Sequence, residues 1–335
     1  MSTSCEQNVE HTKNGSDVVD AVSSDIEKMN ISTDNTSVCA NCGREGNSNS
    51  MNICNKCKMV KYCNAACKKK HRKKHKKQCE RRVAELHDEE LFKQPPPLED
   101  CPICFLRLPL LNTGKTYMPC CGKVICCGCI HAPVHDHEGN VIAEKTCPFC
   151  RTKFHRVDVE RIEMMNKRVD LNDPVAMYNL GCFYFTGMLG LPRNYAKALE
   201  LWHRAGELGS AEAYHSIGNA YAHGFGVEVD KKKATHYWEL AAMGGDASAR
   251  YKLGVIEARS GNMDRALNHF IVAVTDGYSD SLEGIKLMYE NGDATKDDYA
   301  KALRSYQAYV GEVKSDQRDE AAAAKEEDKC YESIS

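Results

Sequence analysis

The sequence predicts a mostly α protein: an α-solenoid of stacked helix pairs that follows two small cysteine-rich modules and a disordered N-terminal segment. Two observations predict this fold class. The stretch 39–150 holds 16 of the chain's 19 cysteines. The stretch 173–311 repeats a pattern of small and aromatic residues every 32 to 37 residues. A repeat of that length is typical of solenoids, in which each unit buries its apolar face against the next.

Composition restricts the compartment. The 335 residues carry a net charge of −2 and no N-terminal signal sequence with a basic and then an apolar part. No apolar run approaches the roughly 18 residues that a membrane helix needs. We therefore expect an intracellular protein, cytoplasmic or nuclear, without a membrane partner. Thiols stay reduced in those compartments, so this many cysteines indicate structural zinc rather than disulfides.

Three segments lie outside the modules. Residues 1–37 are rich in Ser, Thr, Asn and Asp and contain no aromatic residue, so we expect them to be disordered. Residues 81–100 begin as a charged helix and end in a proline triplet at 95–97, which predicts a stiff linker. Residues 312–335 contain helix formers but no apolar stripe, which predicts a charged, solvated helical tail.

The repeat places two amphipathic helices in each unit. Three units begin near residues 173, 210 and 246, and a degenerate fourth covers 279–311. Small and aromatic residues recur at matching positions, which lets neighbouring helices approach closely. These residues are Gly181, Gly218 and Gly254, then Ala198, Ala234, Ala266 and Ala302, and then Trp202 and Trp238.

The motifs within the units are specific. The first helix carries Leu180, Gly181, Tyr184 and Gly187, the loop carries Gly224, Gly226, Val227 and Asp230, and the second helix carries Lys197, Ala198, Trp202, Ala205 and Gly209. They resemble the Sel1-like branch of the tetratricopeptide-type repeats. The resemblance implies a solenoid over residues 155–311 whose groove binds other proteins.

The first cysteine module, residues 38–80, has eight metal ligands with regular spacing. A C-x2-C pair reaches one ion at about 2.3 Å, and C-x3-C or H-x3-C on a helix puts both ligands on one face. The spacing, with Tyr62 before the fifth ligand, resembles a MYND-type zinc finger, a module that binds proteins. The resemblance implies two interleaved zinc sites, one at Cys39, Cys42, Cys63 and Cys67 and one at Cys54, Cys57, His75 and Cys79. His71 stands where the family often has an aromatic residue.

A basic run lies inside this module. Eight of the ten residues from Lys68 to Lys77 are Lys or Arg. Such a run is often a solvated helix face, but it also serves as a nuclear import signal or a phosphate contact. No aromatic residue interrupts it, so stacking on bases is not expected and a nucleic-acid partner is disfavoured.

The second cysteine module, residues 101–154, has two C-P-x-C pairs around a cysteine-rich centre and resembles a RING finger. The resemblance implies one zinc at Cys101, Cys104, Cys126 and Cys129 and another at Cys120, Cys121, Cys147 and Cys150. Lys123 occupies the place of the usual histidine ligand. Because adjacent ligands on one ion are tight, His131, His135 or His137 are alternatives to the Cys120–Cys121 pair, and Cys127 is the spare thiol.

The RING resemblance also implies an activity. A RING orients a ubiquitin-loaded conjugating enzyme and forms no covalent intermediate. Ile103 and Pro148 would form the apolar docking groove, and Arg151 would hydrogen-bond ubiquitin. The bulky Trp that many active members use nearby is absent, and the chain offers no P-loop, dinucleotide, G-x-S-x-G or HExxH motif. No residue is predicted to be catalytic.

The whole arrangement resembles MYND/RING/Sel1 proteins of diatom-like algae. Our first hypothesis is a zinc-binding adaptor for protein–protein interaction, with two Zn²⁺ in each module. The alternative is a RING-type E3 ubiquitin ligase whose solenoid or first cysteine module selects the substrate. A weaker alternative is a nuclear regulator that uses the basic run.

Overall fold

The computed structural model describes residues 36–110, 114–132, 146–153 and 157–332. The chain forms two compact units, Met1–Leu86 and His87–Ser335. All but the last two residues of the segment predicted to be disordered lie outside the described residues. The mostly α fold class, with a repeat solenoid after a cysteine-rich region, is confirmed.

The first unit is built on four short strands and most of a long helix, whose last residues, 87–91, belong to the second unit. Strands β1 (Thr36–Val38) and β2 (Glu45–Asn47) pair antiparallel, as do β3 (Asn52–Ile53) and β4 (Lys61–Tyr62). Helix α1 (Ala65–Leu91) continues through the predicted boundary at residue 80. The buried side chains are four cysteines, His75 and Tyr62. So small an apolar core cannot fold a module of this size unaided, so metal binding has to supply the rest.

The second cysteine module opens the second unit. Its hairpin joins β5 (Lys115–Met118) and β6 (Lys123–Cys126), and the short helix α2 (Cys127–His131) follows directly. Leu108, Met118 and Ile125 are buried together with cysteines of the module. The core again consists largely of sulfur.

The remaining helices form the solenoid and the tail. They are α3 (Asp158–Asp170), α4 (Pro174–Thr186), α5 (Tyr195–Glu207), α6 (Ala211–His223), α7 (Lys231–Met243), α8 (Ala247–Arg259), α9 (Met263–Thr275), α10 (Ser279–Asn291), α11 (Lys296–Val313) and α12 (Asp316–Glu332). The four predicted units are the pairs α4–α5, α6–α7, α8–α9 and α10–α11.

The recurring glycines have a specific packing role. A Cβ on Gly181, Gly218 or Gly254 would lie 2.5 to 2.6 Å from an aromatic ring of the second helix in the same unit. Those rings belong to Trp202, Trp238 and Phe270. Each glycine therefore makes room for the large aromatic residue that joins the two helices of its unit.

Side-chain caps define where the first helices of the units begin. Asp173, Ser210 and Asp246 each precede such a helix and accept hydrogen bonds from its first backbone amides. A cap of this kind contributes about 1 kcal/mol. Gly187 and Gly224 end α4 and α6 in the left-handed conformation that glycine adopts without strain.

The end of α1 and the residue that follows it are held by α8 and α9. Leu91 is buried, and the guanidinium of Arg250 donates a hydrogen bond to its carbonyl oxygen. The Phe92 ring lies 4.6 Å from the ring of His269. Burial lowers the pKa of Arg250 to about 10 and that of His269 to about 3, so arginine is charged and histidine neutral at pH 7.

The C-terminal tail departs from the prediction. Helix α12 packs against α2, and Arg318 and Ala321 are only 6% and 2% exposed. The expectation of a solvated tail is therefore wrong for this part of the helix. The reason is that Arg318 finds hydrogen-bond acceptors in the second cysteine module, which a search for an apolar stripe does not detect.

Candidate metal centres

One backbone turn recurs in four of the five C-x2-C pairs, and the fifth pair, Cys126–Cys129, forms the start of helix α2 instead. The residue after the second cysteine has a positive φ, and its amide donates a hydrogen bond to the carbonyl oxygen of the first cysteine at 2.9 to 3.0 Å. This conformation costs a residue other than glycine roughly 1 kcal/mol or more, so the contacts that hold the turn have to contribute more than that cost. The four residues are Gly43, Lys58, Phe105 and Arg151.

These turns, together with α1 and the hairpin, bring the ligands into four sets. Within each set, the sulfur and ring nitrogen atoms lie within 4.8 Å of one another. The first module forms Cys39, Cys42, Cys63, Cys67 and Cys54, Cys57, His75, Cys79. The second forms Cys101, Cys104, Cys126, Cys129 and Cys120, Cys121, Cys147, Cys150.

The sulfur separations fit a tetrahedral ion. Four sulfurs at about 2.3 Å from zinc are separated by about 3.8 Å. The observed Sγ–Sγ distances are 3.7 Å for Cys54–Cys79, 3.8 Å for Cys104–Cys126 and 3.4 Å for Cys120–Cys150. A disulfide would bring the sulfurs to about 2.05 Å. The donor sets therefore suit Zn²⁺ and not oxidative pairing.

The one histidine of the four sets, His75, is buried and packed against a second histidine. Nε2 of His75 lies 3.2 Å from Sγ of Cys57, and the side chain is buried. The His71 ring stacks on His75 at 5.8 Å, and its Nδ1 lies 3.3 Å from the hydroxyl of Tyr62. His71 thus takes the packing position that the family often gives to an aromatic residue.

Thiol pKa values within a set diverge in the first module. The backbone amide of Cys63 lowers the pKa of Cys39 to about 6, whereas a hydrogen bond with Cys67 raises the pKa of Cys63 to about 12. Burial raises the pKa of Cys79 to about 11. Neighbouring thiolates repel, so only a cation lets all four ligands of a set ionise together.

The second module shows the same divergence. Burial opposes ionisation of Cys150, yet hydrogen bonds from Thr152 lower its pKa to about 6. Burial also opposes ionisation of Cys101, but hydrogen bonds from the backbone amides of Cys126 and Cys104 lower its pKa to about 7. For four further thiols of this module, burial raises the pKa. The raised thiols are Cys120, Cys121, Cys126 and Cys129.

The alternative ligands lie elsewhere. Cys127, at the start of α2, is buried but outside the four sets, and His131 is exposed and also outside them. His135 and His137 fall outside the described residues. Both Cys120 and Cys121 turn their sulfurs towards the set that contains Cys147 and Cys150.

The proposed docking residues sit on the two C-P-x-C turns. Ile103 is partly buried against the cysteine core, Pro148 is partly buried, and Arg151 is exposed. The same turns carry Phe105 and Phe149, which are 77% and 45% exposed. These two rings were not among the residues predicted from the sequence. Their positions within the C-P-x-C turns could have identified them, because side chains there point away from the buried sulfurs. Exposed aromatic side chains of this kind mark contact surfaces.

A groove opens in the second unit. We call it the solenoid groove, a cavity of about 760 Å³. Its walls come from the first helices of the units, the proline linker and β5, and include Tyr178, Asn179, Glu212, Pro97 and Tyr117. His215, which also lines it, lies 3.3 Å from the carboxylate of Asp246.

Contacts between the second cysteine module and the solenoid were missed from the sequence. The Tyr117 hydroxyl donates to Asp173 at 2.6 Å, and Nε of Arg168 donates to the Pro119 carbonyl at 3.2 Å. The backbone amide of Leu110 donates to the Tyr309 hydroxyl at 2.8 Å. These partners are far apart in sequence, so no local pattern identifies them.

Family comparisons cover part of the chain. A model of the MYND finger matches residues 39–79, and a model of the Sel1 repeat matches 174–210, 211–246 and 284–307. The chain therefore carries a MYND finger and Sel1 repeats. Neither model covers the second cysteine module. The third unit falls between the matched Sel1 segments, yet it folds as the pair α8–α9.

Three proteins are similar to parts of this chain: two relatives by sequence and one protein of known structure. A 111-residue stretch, 33% of this chain and 17% of the relative, is 31% identical to the ERAD-associated E3 ubiquitin-protein ligase component HRD3B of Arabidopsis thaliana. A 72-residue stretch, 21% of this chain and 15% of the relative, is 39% identical to the E3 ubiquitin-protein ligase GW2 of Oryza sativa subsp. indica. A Sel1 repeat protein from Oxalobacter formigenes aligns over 45% of this chain and 64% of its own, at 29% identity and a TM-score of 0.41.

The chain thus spans less than a fifth of the length of either ligase-related relative. Among the described residues, no helix is both long and apolar enough to cross a membrane.

Proposed function

We propose that this protein is a zinc-binding adaptor that holds four zinc ions, two in each cysteine module, and binds partner proteins through the solenoid groove and the first cysteine module. The observation that carries the proposal is the groove itself. Its volume of about 760 Å³ lies within the range of roughly 300–1,000 Å³ that is usual for ligand pockets. It therefore suits a few side chains of an extended segment rather than a folded domain.

The groove has the chemistry that peptide recognition needs. Tyr178 and Pro97 offer apolar surface, and the Asn179 amide and Glu212 carboxylate offer hydrogen bonds along the same walls. Peptide grooves combine apolar pockets for affinity with a few polar groups that set register.

Site-specific photocrosslinking in cells tests the adaptor function. With p-benzoylphenylalanine in place of Glu212, which is exposed and lines the groove, we expect discrete protein adducts. The same label in place of Lys286, exposed on α10, should not give those adducts. Adding Asn179→Arg should abolish them, because the longer side chain fills the groove. Identical adducts from both positions, or adducts that survive Asn179→Arg, would contradict groove binding.

A second candidate function is a RING-type E3 ubiquitin ligase. It is supported by the pairing of ligands one, two, five and six in one set and three, four, seven and eight in the other, which is the arrangement the RING resemblance implies. It is also supported by Ile103, Pro148 and the exposed Arg151 on the two turns. Two of the similar proteins are named as E3 ligase or ligase component.

In that function the module acts by orientation. The apolar turns would hold a conjugating enzyme, and the planar fork of Arg151 would donate hydrogen bonds to its ubiquitin. The transferred ubiquitin passes directly from the conjugating enzyme to the acceptor amine, so this chain needs no nucleophile.

Ubiquitin discharge by a panel of conjugating enzymes separates the two candidates. If the module is active, Ile103→Ala or Arg151→Ala should lower discharge by about 5- to 30-fold, the loss expected when a positioning contact of about 1–2 kcal/mol is removed. Zinc content should not change. Arg259→Ala, an exposed arginine of α8, is the matched control. Discharge at the wild-type rate in the Ile103/Arg151 double variant would remove the docking assignment, and no discharge from the wild type would leave the adaptor.

A further inference from the structure

The first turn of α12 lies directly on the second cysteine module. Gly128 of α2 faces it so closely that a Cβ there would lie 2.9 Å from the backbone nitrogen of Arg318 and 3.0 Å from its Cγ. Ser315 precedes the helix, and its hydroxyl accepts a hydrogen bond from the Arg318 amide at 3.3 Å. This geometry fixes where the Arg318 side chain starts.

The guanidinium of Arg318 points into the loop that leaves the first C-P-x-C turn. Nη1 donates to the carbonyl oxygens of Arg107 and Val313, each at 2.7 Å. Nη2 lies 3.3 Å from the carbonyl oxygen of Leu106 and 3.7 Å from Sγ of Cys104. Arginine is rarely this buried unless it is paired, and here its charged end faces a sulfur ligand.

The adjoining ligand set has a charge to balance. Four thiolates around one Zn²⁺ leave two net negative charges, and Cys101, Cys126 and Cys129 are 0%, 1% and 7% exposed. Burying uncompensated charge is costly. The guanidinium of an arginine is always protonated at neutral pH, so Arg318 places a full positive charge beside this set.

The neighbouring set in the same module provides a comparison. Cys120, Cys121 and Cys150 are all partly exposed, so water reaches that set. The cation close to it in sequence, Lys123, is exposed and lies over the Phe149 ring at 5.8 Å. The buried arginine is therefore found beside the more buried of the two sets.

We propose that Arg318 is the counter-charge of the zinc site at Cys101, Cys104, Cys126 and Cys129, and that α12 is through this contact a structural part of the second cysteine module. The inference is independent of whether the protein acts as an adaptor or a ligase. It assigns the C-terminal helix a role in one specific metal site, because Arg318 supports a sulfur ligand of that site.

Zinc release from the full-length protein tests the proposal. A chelating dye follows the release of each zinc equivalent from wild type, Arg318→Gln, Arg318→Lys and the control Arg304→Gln, an exposed arginine of the neighbouring helix α11. Loss of an outer-shell partner typically costs about 10–100-fold in metal affinity. We expect one zinc equivalent of Arg318→Gln to be lost faster by that order and the others to be unchanged. Arg318→Lys, which keeps the charge, should lie between glutamine and wild type.

Cobalt substitution gives a readout that a merely structural role would not change. A hydrogen bond to a thiolate stabilises its sulfur electrons, so loss of the bond shifts the sulfur-to-cobalt charge-transfer band to longer wavelength. We expect that shift in Arg318→Gln and not in Arg304→Gln. Gly128→Ala keeps the arginine but displaces α12, and should reproduce the faster release of one equivalent.

Two results would overturn the proposal. One is release at the wild-type rate from Arg318→Gln with an unshifted cobalt band. The other is faster release of all four zinc equivalents from Arg318→Gln, with the same loss of all four from Arg318→Lys and Gly128→Ala. That result would show general unfolding rather than loss of a counter-charge at one site.

Discussion

The two cysteine modules bring their ligands together with the same turn but balance charge by different means. In the first, one ligand is the neutral side chain of His75, and the exposed cations Lys69, Lys70, Arg72, Lys73 and Lys74 lie on the same helix. In the second, all eight ligands are cysteines, and the cation closest to the buried set arrives from α12. The first module therefore has its cations within its own sequence, whereas the cation next to the buried set of the second comes from the C-terminal helix.

The exposed cations of the first module do little for its stability. Lys residues four positions apart, such as Lys69 and Lys73, repel by a few tenths of a kcal/mol, and cations near a helix N-terminus oppose the helix dipole. In the described part of the chain, the run forms one ion pair, Lys76–Glu80 at 3.9 Å, and both side chains are largely exposed. Because these lysines and arginines destabilise the helix that carries them, we expect them to bind a negatively charged partner outside the module. The nuclear-regulator hypothesis therefore stays a prediction.

The comparison teaches that equal ligand geometry does not mean equal dependence on the rest of the chain. Arg318 lies 214 residues after Cys104. We therefore expect damage to the second module to spread to the C-terminal helix and damage to the first module to stay local.

Removing a ligand should give the largest effect. Cys126→Ser and Cys57→Ser should each lose about one zinc per chain, since a structural zinc site contributes on the order of 10 kcal/mol to its module. Only Cys126→Ser should also expose the α12 region to trypsin at Arg318, because the counter-charge contact requires an intact set. Metal analysis and timed proteolysis measure both outcomes.

The spare thiol provides the control for that experiment. Cys127→Ser changes a buried thiol beside the same ligands and should keep full zinc content, since Cys127 lies outside the four sets. Equal exposure of the tail in Cys57→Ser and Cys126→Ser would break the comparison between the modules.

Proton release on zinc uptake should differ between the modules. Burial raises the pKa of four thiols of the second module. In the first module two thiols have a raised pKa, Cys63 through its hydrogen bond with Cys67 and Cys79 through burial. A thiol with a raised pKa keeps its proton at pH 7.5 until the metal displaces it. Zinc affinity should therefore rise with pH, and more steeply for the second module.

Calorimetry in buffers of different ionisation enthalpy measures the protons released per zinc. One module is inactivated at a time, with Cys39→Ser and Cys54→Ser or with Cys101→Ser and Cys147→Ser. Equal proton release from the two modules would show that burial of the thiols does not distinguish them.

The smallest expected effect concerns His71. His71→Ala removes its stacking on His75 and its contact with the Tyr62 hydroxyl, and should lower the stability of the first module by about 1–2 kcal/mol. His71→Phe keeps the ring and loses only the polar contact, so its cost should be about half as large. Denaturation of the zinc-loaded protein measures both, with exposed Lys70→Ala as control. Equal losses for phenylalanine and alanine would mean that the polar contact, not stacking, dominates.

Much of the fold follows from local spacing. C-x2-C turns and helical i, i+4 pairs depend only on neighbouring residues, so the ligand pairs could be predicted from the sequence, whereas the grouping of distant pairs into sets was implied by the family resemblances. The repeat likewise predicts its helix pairs, because the glycine and aromatic positions that pack together lie within one unit.

What the sequence determined by itself is therefore the local structure: the pairs of metal ligands and the helix pairs of the repeat. The tertiary structure alone decided that Arg250 holds the carbonyl of Leu91, that the proline linker passes beside Gly245, and that Arg318 reaches Cys104. These contacts join residues far apart in the chain, and a buried arginine looks the same in sequence as a solvated one. Only the folded chain shows which acceptors lie within reach of its guanidinium.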